Sequence, residues 1–220
     1  MIKPETLQFL VSVSENNNRE WFQKHKEEYL EARGNCLEFT QSVIQGILKF
    51  DNTIPNDLKA EDCVMRIYRD IRFSKDKTPY KTNFGIAISA NGKNFNGPGY
   101  YLHIQPGSSF VAGGSWYPEK DQLKAIRQEI DYNSAEFLEI VRSKTFLEYF
   151  EGLDTEGKLR SAPKGYESNH DLIEYLKLKC FVASKKLTDE ELQESNSVSN
   201  VTNTFNKLTP LMIFLRNAIS

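Results

Sequence analysis

Cysteine is scarce. Cys36, Cys63 and Cys180 are the only three, too few and too scattered for a disulfide scaffold, and no C-x-x-C pair points to zinc or redox work. Reduced, buried thiols are expected. Long apolar runs are missing as well: none approaches the roughly 18 residues that a membrane span needs. The opening MIKPETLQFL lacks the basic-then-apolar layout of a signal peptide. A cytoplasmic protein without a membrane partner is the expectation. The sequence contains no GxxxxGK[ST] phosphate loop, GxGxxG dinucleotide turn, HExxH zinc helix or GxSxG nucleophile elbow, so no cofactor is expected. His25, His103 and His170 lie dozens of residues apart, away from acidic pairs, and make no case for a metal site. An excess of one charge is also lacking. The formal net charge of −2 argues against a molecule whose whole surface seeks polyanions.

What is present is an ordinary globular composition. With 39% apolar and 26% charged residues the chain is well away from disordered compositions. Its 220 residues suffice for one substantial core and are short for two, so a single domain over 1–220 is expected.

Periodicity divides the chain into helical ends around a β centre. Lys3-Pro4-Glu5 opens a helix with Leu7, Leu10 and Val11 on one face, interrupted at Asn16-Asn17-Asn18. A second helix starts near Arg19 and spaces Trp21, His25 and Tyr29. A third follows a weak point at Gly34-Asn35, with Cys36, Phe39, Val43, Ile44 and Ile47 as its apolar stripe. Between about 62 and 116 the period becomes two. CVMRIYRDIRF, FGIAIS, GYYLHIQ and SFVAGGSW read as four strands whose short connections require an antiparallel meander. After Pro118 the helical period returns. Asn133-x-x-Glu136 marks a helix start, Thr188-x-x-Glu191 resembles a capping box, and Thr209-Pro210 caps a last helix. The fold class is therefore α+β, a central antiparallel sheet of about four strands flanked by N-terminal and C-terminal helices.

Alternation sorts the strands into two faces. Phe84, Ile86, Ile88, Tyr100, Leu102 and Ile104 make one face apolar, whereas Gly85, Ala87, Tyr101, His103 and Gln105 make the other polar or small. Small residues at 112–115 leave room for a ligand or allow a helix to approach closely. On the first expected strand Met65, Ile67, Ile71 and Phe73 point one way, and Arg66, Tyr68, Asp70 and Arg72 the other. Arg69 falls among the apolar set, so it needs a carboxylate partner or a path to solvent.

Positive charge is concentrated in RIYRDIRFSKDKTPYK, residues 66–81. Six Lys/Arg against two Asp give this stretch +4, which leaves −6 for the remainder. Arg66 and Arg72 stand roughly 20 Å apart along an extended strand and cannot clamp one phosphate unless the chain bends. A loop carrying Arg72, Lys75, Lys77 and Lys81 around Pro79 instead offers ammonium and backbone N–H donors for phosphate, sulfate or carboxylate. Asp70 is close enough to Arg72 to neutralise part of that charge.

The pattern Arg66-x-x-Arg69-Asp70-x-Arg72-Phe73-x-x-Asp76-Lys77-x-x-Tyr80 resembles the signature of the domain-of-unknown-function 2461 family, uncharacterised in bacteria and fungi. The likeness extends to Asn17 with Trp21-Phe22, Lys26 and Tyr29, to Gly99-Tyr100-Tyr101-Leu102-His103 and Gly113-Gly114, and to Pro163-Lys164-Gly165-Tyr166 with His170. Tyr166 stands where the family pattern leads one to expect Phe. The resemblance implies membership and carries no established activity.

The candidate ligand-binding residues are Arg66, Tyr68, Arg72, Lys75, Lys77, Tyr80, Lys81 and Tyr101, with His103 and Asp70 as acid/base candidates. The first reading is a protein that binds a phosphorylated or other anionic small molecule, with or without catalysis. One rival makes the Arg/Asp motif architectural in a protein that acts through a protein partner. The other is a single-stranded nucleic-acid binder using basic and stacking residues, disfavoured by the short basic footprint and acidic remainder.

Overall fold

A computed structural model describes residues 1–220. The N-terminal helices are α1 (Pro4–Glu15), α2 (Arg19–Lys24), α3 (Lys26–Ile47) and α4 (Ala60–Cys63). Strands β1 (Phe84–Ile88), β2 (Gly99–Ile104) and β3 (Ser109–Ser115) follow, then helices α5 (Lys120–Tyr132), α6 (Ser134–Val141), α7 (Lys144–Phe150) and α8 (Ile173–Leu176). Strand β4 (Phe181–Leu187) and helices α9 (Asp189–Gln193), α10 (Ser197–Lys207) and α11 (Thr209–Ala218) complete the chain. The sheet is antiparallel throughout, in the order β1-β2-β3-β4. The architecture is thus α+β, as its periodicity predicts. No helix is long and apolar enough to cross a membrane.

Several local signals act as expected. Pro4 lies at the start of α1, and Thr188 and Glu191 form a reciprocal capping box; Asn18, expected only as part of an interruption, also caps α2 by accepting from the Trp21 amide at 2.9 Å. Thr209 makes no cap and is instead the first residue of α11. Gly34-Asn35 does not interrupt α3; the break falls at His25, whose ring stacks on Trp21 with centroids 4.1 Å apart. Asn35 is buried within the helix because its side chain is used elsewhere. Its Oδ1 accepts from the Lys3 amide and the Thr6 hydroxyl, both at 2.8 Å, which pins the start of α1.

One expected strand is replaced by another. CVMRIYRDIRF begins with Cys63, the last residue of α4, and touches β1 only through the Val64–Ile86 bridge. Beyond it the chain turns back on itself at the Tyr68–Tyr80 bridge, with Arg69 N–H donating to Pro79 O at 2.9 Å and Lys81 N–H to Ile67 O at 2.8 Å. Residues 67–81 therefore form a hairpin at the sheet edge, where side-chain bonds take the place of a continuous ladder. The alternation expected there fails with it: Ile67 is buried, whereas Phe73 is 95% exposed. The fourth strand comes from Phe181–Leu187, which pairs with β3 from Ser109↔Leu187 to Ser115↔Phe181.

The two faces of the sheet differ as alternation requires. Phe84, Ile86, Ile88, Tyr100, Leu102 and Ile104 are all buried in the large core beneath the helices. The opposite face carries no helix-covered core, only a small cluster of Ala112, Cys180 and Val182 flanked by Tyr101 and Phe110. Both readings of the small residues hold. A Cβ on Gly113 would sit 2.6 Å from Leu208 Cδ1, so that glycine admits the α10–α11 junction, while Ala112 and Gly114 floor an open depression on the other side.

Candidate functional site

The open face divides into an aromatic cavity and a polar edge. Register places Gly85 beside His103, Ala87 beside Tyr101, Tyr101 beside Ala112 and His103 beside Phe110. Side chains at these positions share one face because each pair is directly opposed across the ladder. The His103 ring lies on Phe110, with centroids 4.8 Å apart and planes 14° from parallel. Its Nε2–H donates to Gln105 Oε1 at 2.8 Å, leaving Nδ1 to accept from the Tyr101 hydroxyl at 3.2 Å and the Asn83 amide at 3.4 Å. Burial pushes the Tyr101 phenol up from its ordinary value, so it remains the proton donor in that bond. Both ring nitrogens of His103 are thus engaged within the face.

The cavity, about 630 Å³, is within the range of small-molecule sites. Its floor is Gly99, Ala112 and Gly114, and its walls include Met65, Tyr101, Phe110 and the exposed rings of Phe95, Trp116 and Tyr117. The sequence reading missed most of these. The available signal was Gly97-Pro98-Gly99 beside an aromatic, together with the Trp116-Tyr117 pair after a glycine-rich strand, but turn chemistry explains such features equally well.

At the edge of the face the signature residues and their neighbours from Arg66 to Lys81 separate into two groups. The side chains of the first have partners within the protein. Arg69 Nη1 donates to Asp76 Oδ2 and to both the carbonyl and hydroxyl of Thr78, fixing the hairpin. Asp76 in turn accepts from Thr78 N–H at 2.9 Å, and that bond, with those from Arg69 and the Thr78 hydroxyl, holds its carboxyl down at about 2. Arg69 therefore has the carboxylate partner its position demanded. Arg72 grips Asp70 with two bonds, at 3.0 and 2.7 Å, and Lys77 Nζ donates to Ile71 O at 2.9 Å. Tyr80 is buried and stacked on Phe22 with centroids 3.9 Å apart, and half-exposed Tyr68 leans on it at 5.4 Å.

The second group is uncommitted. Arg66 and Lys75 are exposed and Lys81 is half-buried, and none of the three takes part in an ion pair. Burial and the nearby Arg66 charge lower the Lys81 pKa from its ordinary value. Asn83 joins the open face through its bond to His103, and Lys81 lies two residues before it, ahead of the start of β1. Asp70 lies within the field of Arg66 but is held by Arg72. His103 and Asp70 therefore have separate partners and form no hydrogen-bonded dyad. His170 likewise belongs elsewhere, donating from Nε2 to Asp131 Oδ1 at 2.9 Å. No three His, Cys, Asp or Glu residues are grouped to hold a metal ion.

No curated protein and no solved structure matches this chain. A family described as a conserved hypothetical protein, DUF2461, does match, over residues 5–214. Nearly the whole chain is covered, including the hairpin signature, both groups of basic residues and the open face of the sheet, and the protein therefore belongs to the DUF2461 family.

Proposed function

We propose that this protein binds an anionic small molecule, phosphorylated or carboxylated, at the edge of the open sheet face. Arg66 and Lys81 supply the charge, and Tyr101 and His103 form the adjoining surface. The carrying observation is the Arg66–Lys81 pair: Lys81 N–H donates to Ile67 O at 2.8 Å, which brings the Lys81 backbone beside that of Arg66, Lys81 is half-buried, and neither side chain joins an ion pair. Burial and the Arg66 charge disfavour the charged form of Lys81, and an anion placed between or beside the two groups favours it. Arg69, Arg72, Asp76 and Tyr80 serve instead to shape the hairpin that presents Arg66 and Lys81.

A thermal-shift screen of phosphorylated and carboxylated metabolites at low salt, followed by calorimetry, tests this reading. A ligand that stabilises the wild type is expected to lose most of its affinity in Arg66→Ala/Lys81→Ala and to keep it in Lys144→Ala, which removes a remote exposed charge. Equal binding by the double variant, or a screen in which no anion stabilises the wild type, overturns it.

A further inference from the structure

The aromatic cavity has an electrostatic character opposite to that of the Arg66–Lys81 edge. No Lys, Arg or His lines it, and Glu119 is its one carboxylate. Glu119 occupies the N-cap position of α5 but makes no side-chain cap bond, and it joins no ion pair. Its charge is therefore available at the rim.

The walls are suited to the same kind of ligand. Trp116 and Tyr117 stand nearly perpendicular, at 81° with centroids 5.2 Å apart, and present two adjoining sides of an open box. Phe95 lies against the Gly99 backbone, where a Cβ would come within 2.1 Å of its ring; glycine is what lets that wall close in. Tyr117 has φ +42°, a left-handed conformation uncommon for a bulky residue, so the backbone is held in an unfavourable region where it aims this ring. Large aromatic rings left 39–61% exposed around one opening are costly to hydrate. Their negative faces, with a free carboxylate beside them, attract a weakly hydrated positive group.

We propose that this cavity is a binding site for an organic cation, an alkylated ammonium or guanidinium group whose charge sits among Trp116, Tyr117 and Glu119. A metal ion is not the fit, because the wall supplies ring faces and a single carboxylate where a metal needs several oxygen or nitrogen donors. A simple anion is opposed by Glu119. The site does not rest on the Arg66–Lys81 reading, and a ligand carrying both charges would engage both ends of the face.

The two tryptophans make the test direct, since Trp21→Phe leaves Trp116 as the sole indole. The full chain with this change is titrated at low salt with benzyltrimethylammonium, benzyl alcohol and benzoate while Trp116 emission is followed. The cation is expected to give a saturable change and to bind roughly five- to thirtyfold more tightly than the neutral alcohol. Glu119→Gln is expected to weaken it severalfold, and Glu148→Gln, an exposed acid on α7, to leave it unchanged. Calorimetry on Trp116→Leu should show the cation affinity lost while its unfolding transition stays close to that of the parent. The proposal is overturned by no saturable response to the cation, by equal or tighter binding of benzyl alcohol or benzoate, or by an unchanged affinity in Glu119→Gln. Anion binding at Arg66 and Lys81 that fails while this titration succeeds, or the reverse, strikes down one proposal alone.

Discussion

The Asn17 side chain pairs with the Tyr80 backbone as a strand would. Its Nδ2–H donates to Tyr80 O at 2.9 Å and its Oδ1 accepts from Tyr80 N–H at 3.0 Å, across 63 residues of sequence. One amide thus ties the α1–α2 connection to the base of the signature hairpin and holds Tyr80 against Phe22.

Asn17→Ala leaves both Tyr80 backbone groups without that partner and should destabilise the fold by about 2 kcal/mol. Asn17→Asp retains the acceptor, loses the donor and should fall between the two. Chemical denaturation measures the difference, and faster hydrogen exchange at the Tyr80 amide should accompany it.

An ion pair between buried Asp51 and partly exposed Arg216 ties the far side of the core. Asp51 accepts from Arg216 at 3.1 and 2.8 Å and from the Tyr100 hydroxyl at 2.8 Å. Burial alone pushes the Asp51 carboxyl up, but hydrogen bonds from Arg216, Thr53 and Tyr100 outweigh it, leaving the pKa below the ordinary 3.8. Its contribution to stability is therefore complete above that value and is lost as pH falls through the lowered folded value. Arg216→Met strands the carboxylate and should cost about 3–5 kcal/mol, more than Asp51→Asn costs. Denaturation curves of the two variants at neutral pH compare these losses.

Asp76 reports on the hairpin directly. Its carboxyl, held at about 2 by Thr78 and Arg69, should titrate with a midpoint well under 3.8 when followed by carboxyl-carbon NMR. The clasp is present above 3.8 and weakens as pH drops toward 2. Arg69→Gln should move the midpoint upward, with the Thr78 amide shift moving in parallel.

Lys81 links the proposed anion site to pH. Burial and Arg66 hold its pKa below 10.5, so folding favours its neutral form and this unfavourable contribution disappears as pH rises past 10.5. An anion bound beside it favours the charged form. Binding at pH between the lowered value and 10.5 should therefore take up protons. Calorimetry in buffers of different ionisation enthalpy should detect that uptake in the wild type and not in Lys81→Met.

Burial raises the Cys36 and Cys63 thiols to about 12 and that of Cys180 to about 11. All three side chains are buried, so a disulfide exchange reagent at neutral pH should label none in the native protein and all three after unfolding. Rapid labelling of Cys180 without denaturant would contradict its place beneath the open face.

Local chemistry, read along the chain, was sufficient for the α+β class, the helical ends, the β1–β3 meander and the division of the sheet into apolar and polar faces. Those features depend on the period of side-chain direction and on caps such as Asn18 and Thr188, which neighbouring residues specify. Membership of the family was legible for a similar reason, since Arg66 to Tyr80 fill its signature in one continuous stretch. The fate of each side chain in this stretch and of Lys81 beside it was decided by tertiary structure. Arg69 found Asp76, Arg72 found Asp70 and Tyr80 found both Asn17 and Phe22, while Arg66 and Lys81 were left unpaired. Alternation along a strand cannot foresee this, because the chain turns at the hairpin and pairing depends on what the turn brings close. The late strand β4 and the cavity have the same origin. Phe95, Trp116 and Glu119 are scattered among loops and a helix start, and only the packing of those loops around β2 and β3 brings them to one opening.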